Sequence, residues 1–153
     1  MKKKSPAKSA PRTPARPKLS GKLKRSDADR LVMAAGDARG RAYAPYSNYK
    51  VGAALLTLDG RIYGGCNVEN SSYGLCLCAE RGAIVSAVCA GQQEIRAIAV
   101  VTEDIGSPCG ACRQFMVEFN PDMTVILADT NGKRKTYTAK ELLPDYFLLR
   151  DEK

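Results

Sequence analysis

Cys78-Ala79-Glu80-Arg81, together with the distant Ser107-Pro108-Cys109-Gly110-Ala111-Cys112, is the stretch around which the rest of the chain is organised. The two segments supply three soft sulfur ligands and one carboxylate. Zinc takes thiolates readily and prefers four tetrahedral ligands; three from the protein leave a position for water, which separates a catalytic site from a closed structural one. Water held there ionises near neutrality. Glu80, two residues after Cys78, is placed to move protons between that water and a substrate. Both segments read as helix starts, where free backbone N–H groups and the helix dipole favour negative charge. Three thiolates on a divalent cation leave a net negative centre and a weakly acidic metal, so Arg81 and the two helix ends are the expected offsets. A closed site that adds Cys76 as a fourth sulfur is the competing reading. Spacing alone leaves it open, although Cys76 falls ahead of the helix and the Ala-Glu after Cys78 would then have no purpose. Cys66 and Cys89 lack such partners and read as small core residues.

Outward from these segments the chain alternates helices and strands. Ser26 or Asp27 can cap a helix to about Arg41 with Leu31, Ala34, Ala35 and Ala38 on one stripe. Val51–Leu58 reads as a buried strand, and Asp59-Gly60 turns it into a second from Arg61 to about Cys66. A helix from about Leu77 to Ala90 is apolar on most of its circumference, which predicts burial beneath a sheet. Ile95–Val101 is a strand, Cys109–Phe119 a second buried helix and Met123–Ala128 a strand. Lys133–Tyr137 is a basic edge strand, and Thr138 caps a last helical turn through Leu143. The order predicts an α/β fold of three layers, a mixed sheet covered by helices.

The composition removes whole classes of chemistry. There is no histidine, which excludes Ser-His-Asp and Cys-His nucleophiles and imidazole proton shuttles. A general acid or base near neutrality is then a carboxylate, lysine, thiol or metal-bound water. The 153 residues suit one domain. No apolar run reaches the roughly 20 residues that cross a bilayer. The charged, proline-rich start is not a secretory signal. The six cysteines therefore read as ligands or thiols in a reducing, cytoplasmic setting. The net charge of +8 is local: residues 1–25 hold ten of the 24 Lys and Arg and no acid, leaving residues 26–153 at −2. That division predicts a disordered basic tail, 1–25, ahead of a domain over 26–153. A solubilising role is the preferred reading of the tail, with contact to nucleic acid or another acidic surface as the sharper alternative.

Cys78-Ala79-Glu80-Arg81 with Pro108-Cys109-Gly110-Ala111-Cys112-Arg113-Gln114 resembles the short, homotetrameric cytidine deaminases. The likeness runs from Tyr43-Ala44-Pro45-Tyr46-Ser47 through Val51-Gly52-Ala53-Ala54-Leu55 and Gly65-Cys66-Asn67-Val68-Glu69-Asn70 to Leu142-Leu143-Pro144. It covers nearly all of 26–153 and none of the tail. The resemblance implies Zn2+ on Cys78, Cys109 and Cys112, with Glu80 as proton shuttle. It implies a nucleoside site in which Asn67 and Glu69 hold the ribose 3′-hydroxyl, a role that suits an amide and a carboxylate. Read without it, Asn67 is turn chemistry and Glu69 a solvated charge. Tyr49, where a phenylalanine is common, and Phe147 match aromatics around the pyrimidine. Ala79 counts among the substrate contacts and Tyr73 lies near the sugar. Phe147 and Tyr73 are expected to reach a neighbouring subunit's site in a homotetramer.

The expectation is hydrolytic deamination of cytidine and 2′-deoxycytidine to uridine and 2′-deoxyuridine with release of ammonia, a step of pyrimidine salvage. Two rivals stand beside it. One is a deaminase of another substrate, such as a nucleotide or cytosine in a polymer. The other is a non-enzymatic zinc module that binds nucleic acid through its basic arm. The Asn67/Glu69 pair favours a free 3′-hydroxyl, so nucleic acid is not the expected partner.

Overall fold

The computed structural model describes residues 23–149. The expected tail lies outside the described residues as far as 22. Of its last residues, Leu23 packs against a core cluster, and helix α1, Arg25–Arg39, has already begun at Arg25. Its N-cap is Lys24, with no side-chain cap; neither Ser26 nor Asp27 takes that role. Asp27 lies inside the first turn, where it pairs with Arg30 at 3.4 Å.

Strands β1, Gly52–Thr57, and β2, Ile62–Cys66, form the hairpin expected around Asp59-Gly60. Gly60 takes φ +89°, a value that glycine adopts freely. After a short 3₁₀ turn at Tyr73–Leu75 come helix α2, Ala79–Cys89, strand β3, Ile95–Thr102, and helix α3, Gly110–Phe119. Strands β4, Thr124–Asp129, and β5, Arg134–Thr138, precede the short helix α4, Ala139–Leu142. Thr138 closes α4 with a full capping box through Glu141.

The five strands stand in the order β2-β1-β3-β4-β5, with β3 and β4 parallel and every other pair antiparallel. Strand alternation divides the core into two. Ala53, Leu55, Ile98, Val100, Val125 and Leu127 face α2, α3 and α4, while Ala54, Leu56, Ala97, Ala99, Val101 and Ile126 face α1. The result is three layers, with the basic β5 at one edge as its composition predicts.

Two expectations fail here. Val85 is 45% exposed and Cys89 is exposed, so α2 is not buried all round and Cys89 is no core residue. The sheet covers only one side of the helix, through Ala83, Ile84 and Ala87. Cys66 is half-buried, its sulfur 3.5 Å from the Arg41 carbonyl.

α2 lies unusually close to the sheet because β2 offers it a glycine. A Cβ on Gly65 would stand 2.2 Å from the Ala83 nitrogen and 2.5 Å from the Ala79 carbonyl oxygen. The first turn of α2, which follows Cys78 and carries Glu80, is thus seated backbone against backbone.

Candidate active site

Cys78 is the N-cap of α2, Cys109 the N-cap of α3, and Cys112 lies in the first turn of α3. Neither cap sulfur bonds its own helix. Instead the three Sγ atoms gather within 4.8 Å of one another, with Cys78 and Cys109 3.9 Å apart. A tetrahedral zinc with bonds of about 2.3 Å has sulfur–sulfur edges of about 3.8 Å. The spacing and the soft donor set fit that ion. Cys76 stands apart from the cluster: its sulfur is 3.3 Å from the Asn70 N–H, as acceptor, and 3.7 Å from the Asn70 carbonyl. The closed four-sulfur arrangement is therefore not what the fold assembles.

The three thiols share charge unequally among themselves. A hydrogen bond from Cys112, with help from Arg81 and Cys109, brings the Cys78 thiol down to about 5 against the opposing effect of burial. Cys112 is pushed far up, first by giving its proton to that bond and then by burial. Arg81 donates from Nη2 to the Cys76 carbonyl at 3.0 Å and stands 3.9 Å from the Cys78 sulfur. Its Nε is buried without a protein partner. The charge offset expected of Arg81 is thus in contact range.

Glu80 is 4% exposed, and burial above all, then the charge of Cys78, pushes its carboxyl above the usual range. A carboxyl raised this way holds its proton more readily than a solvated one, which suits a group that must accept a proton and give it back. It lines an open cleft of about 280 Å³ together with Cys78, Cys109, Ala79, Tyr49, Asn67 and Glu69. Cys112 is buried and does not reach the cleft surface.

Asn67 and Glu69 both brace backbone. The Asn67 amide donates to the Tyr49 carbonyl and accepts from the Val51 N–H, each at 2.8 Å. This is turn chemistry of the kind the residue alone suggests, and it leaves one N–H and one lone pair unspent. Glu69 accepts from the Tyr46 N–H at 2.9 Å, the Ser47 N–H at 3.3 Å and the Ser47 hydroxyl. Those bonds, the Ser47 hydroxyl first, hold its carboxyl below the usual range. Tyr49 donates from its hydroxyl to Asp104 at 2.5 Å, and burial and that bond raise its pKa. Tyr73 and Phe147 are 80% and 62% exposed and do not line the cleft of their own chain.

Sequence reasoning assigned no role to four residues around the cleft. Thr102 and Gly106 form part of its wall. Asp104 lies 55 positions from the tyrosine it binds, and no local pattern announces such a pair. Arg113 bonds the Pro108 carbonyl, the Leu142 carbonyl and the Ser107 hydroxyl at 2.8, 2.8 and 2.9 Å. An arginine four residues after a ligand cysteine was the available signal, since that spacing returns it to the preceding loop.

A family sequence model described as the cytidine and deoxycytidylate deaminase zinc-binding region matches residues 25–128. A curated cytidine deaminase of Sporosarcina psychrophila is 47% identical over 128 residues, 82% of this chain and 94% of the relative. A probable cytidine deaminase of Dictyostelium discoideum is 42% identical, over 84% of this chain and 89% of its own. Among solved structures, a cytidine deaminase from Burkholderia pseudomallei is 55% identical with a TM-score of 0.75, covering 78% of this chain and 98% of that one. The Mycobacterium tuberculosis cytidine deaminase structure is 38% identical with a TM-score of 0.72, over 80% and 98%.

Proposed function

Because this chain belongs to the zinc-binding cytidine and deoxycytidylate deaminase family, we propose that its cleft accepts cytidine and 2′-deoxycytidine and that Glu80 carries the protons of their hydrolysis. The chain is a hydrolytic enzyme, a cytidine deaminase that uses zinc. Cys78, Cys109 and Cys112 would hold the ion. When bound, zinc supplies a water acidic enough to ionise near neutrality.

Everything else falls to the chain's own side chains. Glu80 takes the proton released as water adds to carbon 4 of the pyrimidine and delivers it to ring nitrogen 3. It then takes the proton of the new C4 hydroxyl and passes it to the amine as the C4–N bond breaks and the carbonyl forms, so that one carboxylate is base and acid in turn and the products are uridine and ammonia. Arg81 tempers the negative charge of the thiolates. Asn67 and Glu69 shape the sugar end with their remaining hydrogen-bonding capacity, while Tyr49 and Ala79 line the base.

The observation that carries this reading is the buried Glu80 carboxylate in the same cleft as the three-sulfur cluster. Glu80→Gln tests it. The variant should keep zinc and bind nucleoside while losing nearly all turnover, followed by the fall in cytidine absorbance. Full activity would refute the role.

Assembly and location belong to the same proposal. Tyr73, Leu75, Phe147 and Leu149 are each more than 60% exposed, large apolar side chains left uncovered by their own chain. A homotetramer would cover them and would bring Tyr73 and Phe147 to a neighbour's cleft; light scattering in solution reads the mass directly. A cytoplasmic setting suits six free thiols. No helix among the described residues is long and apolar enough to cross a membrane. The basic residues ahead of Leu23 serve solubility, so a chain starting at residue 23 should deaminate cytidine as the whole chain does.

A further inference from the structure

Tyr49 lines the cleft, and Asp104 lies two residues before Gly106, another residue of its wall, on two loops that leave the same end of the sheet. β1 and β3 pair with Gly52 opposite Val101, so the residues before β1 and those after β3 continue side by side beyond the ladder. Neither loop is relaxed. Asn48, next to Tyr49, has φ +56°, and Ile105, next to Asp104, has φ +60°. A β-branched residue in the left-handed region is a genuine outlier. Such strain persists only where the surroundings over-determine it.

Three contacts hold Ile105 in place. Its side chain packs on the larger core cluster. The Gly106 N–H donates to the Thr102 hydroxyl at 2.6 Å. The Tyr49 hydroxyl donates to Asp104 at 2.5 Å. The backbone has been cleared for that hydroxyl, since a Cβ on Gly106 would stand 2.5 Å from it. A phenylalanine at 49 would present the same ring without the bond.

We propose that the Tyr49–Asp104 hydrogen bond is a latch for the nucleoside site. It fixes the Tyr49 ring against the loop of residues 103–108 and so holds that ring in one place on the cleft wall before substrate arrives. Asp104 is a positioning residue that acts through Tyr49. It also keeps the tyrosine hydroxyl committed, so the ring offers substrate an apolar surface and no competing donor. The inference rests on the deaminase reading above.

The test uses the full-length, zinc-loaded enzyme and a mutant cycle of Tyr49→Phe, Asp104→Ala and the double variant, with Asp104→Asn as the conservative change. KM and kcat are measured on cytidine, and the Kd of uridine by calorimetry. Each single change in the cycle should raise KM and Kd by roughly 3- to 10-fold, the scale of one charge-assisted hydrogen bond in a partly exposed place, with kcat within about twofold. The double variant should be no worse than the worse single, because both remove one interaction. Asp104→Asn, which keeps an acceptor, should fall between the wild type and Asp104→Ala.

A merely structural role would lower the melting temperature without this split between KM and kcat. Effects that multiply in the double variant, a loss confined to kcat, or an unmoved KM in Tyr49→Phe would overturn the latch. Tyr49→Phe keeps the ring, so it decides the matter even if Asp104→Ala does not fold. If the wild type binds uridine but fails to deaminate cytidine, the deaminase reading falls while the Kd cycle still judges the latch. If it does neither, both fall.

Discussion

The sulfur of Cys78, at the start of one helix, lies 3.9 Å from that of Cys109, at the start of another. The two residues are 31 positions apart in the chain, so no short unfolded segment presents the pair. Metal affinity and folding are therefore coupled. The native protein should carry one zinc per chain by elemental analysis, and so should Cys76→Ser, whose sulfur stands outside the cluster. Cys109→Ala should lose the metal. A chelator should lower the melting temperature of the wild type and leave that of Cys109→Ala unmoved.

Glu80 is a stability liability in the absence of metal. Burial raises its pKa, so the folded chain holds the proton more tightly than the unfolded chain does. The stability linked to that proton is present in full below the ordinary carboxyl value and is lost as pH rises through the folded one. Metal-free Glu80→Gln never ionises. It should melt above metal-free wild type by a few degrees at pH near 8, with the gap closing toward pH of about 4. Thermal melts across that range check the sign.

Arg81 stands in contact range of the Cys78 sulfur. Arg81→Ala should keep zinc while making ionisation at the site harder. The acidic limb of the rate-versus-pH profile should then move to higher pH. An unmoved limb would show that the helix ends alone offset the thiolates.

Gly65→Ala should be severe. The new methyl would meet backbone atoms of Ala79, Gly82 and Ala83 at 2.2 to 2.7 Å, and backbone has no rotamer through which to yield. A loss of more than about 3 kcal/mol is expected, beyond ordinary overpacking. Denaturant titration measures it. Gly64→Ala, whose nearest neighbour would be 3.6 Å away, is the control and should cost far less.

What the sequence could announce was whatever repeats at short range. The unbroken apolar run through Ala53-Ala54-Leu55-Leu56, the Asp59-Gly60 turn and the Thr138 cap are local signals, and each matches the fold. The spacing of Cys78, Cys109 and Cys112 against Glu80 was legible because the ligands sit on two helix starts. Asp104 was not, because its partner is remote in the chain and comes near only when β1 pairs with β3. The burial of α2 was misjudged for another reason. Its apolar circumference includes Val85 and Cys89, which the single chain leaves uncovered. Composition reports that a surface wants company and is silent on whether the same molecule provides it.

The outermost strand, β5, offers unpaired backbone groups along one side of the sheet and carries Arg134 and Lys135 there, both exposed. Lys135 keeps its charge on this margin, while Arg134 is held in an ion pair with Asp29, and such a charged edge opposes two copies that try to continue the sheet through it. Fibre-like growth through this margin is thereby discouraged. A crowded solution of this protein should form closed particles of fixed size instead of open-ended polymers.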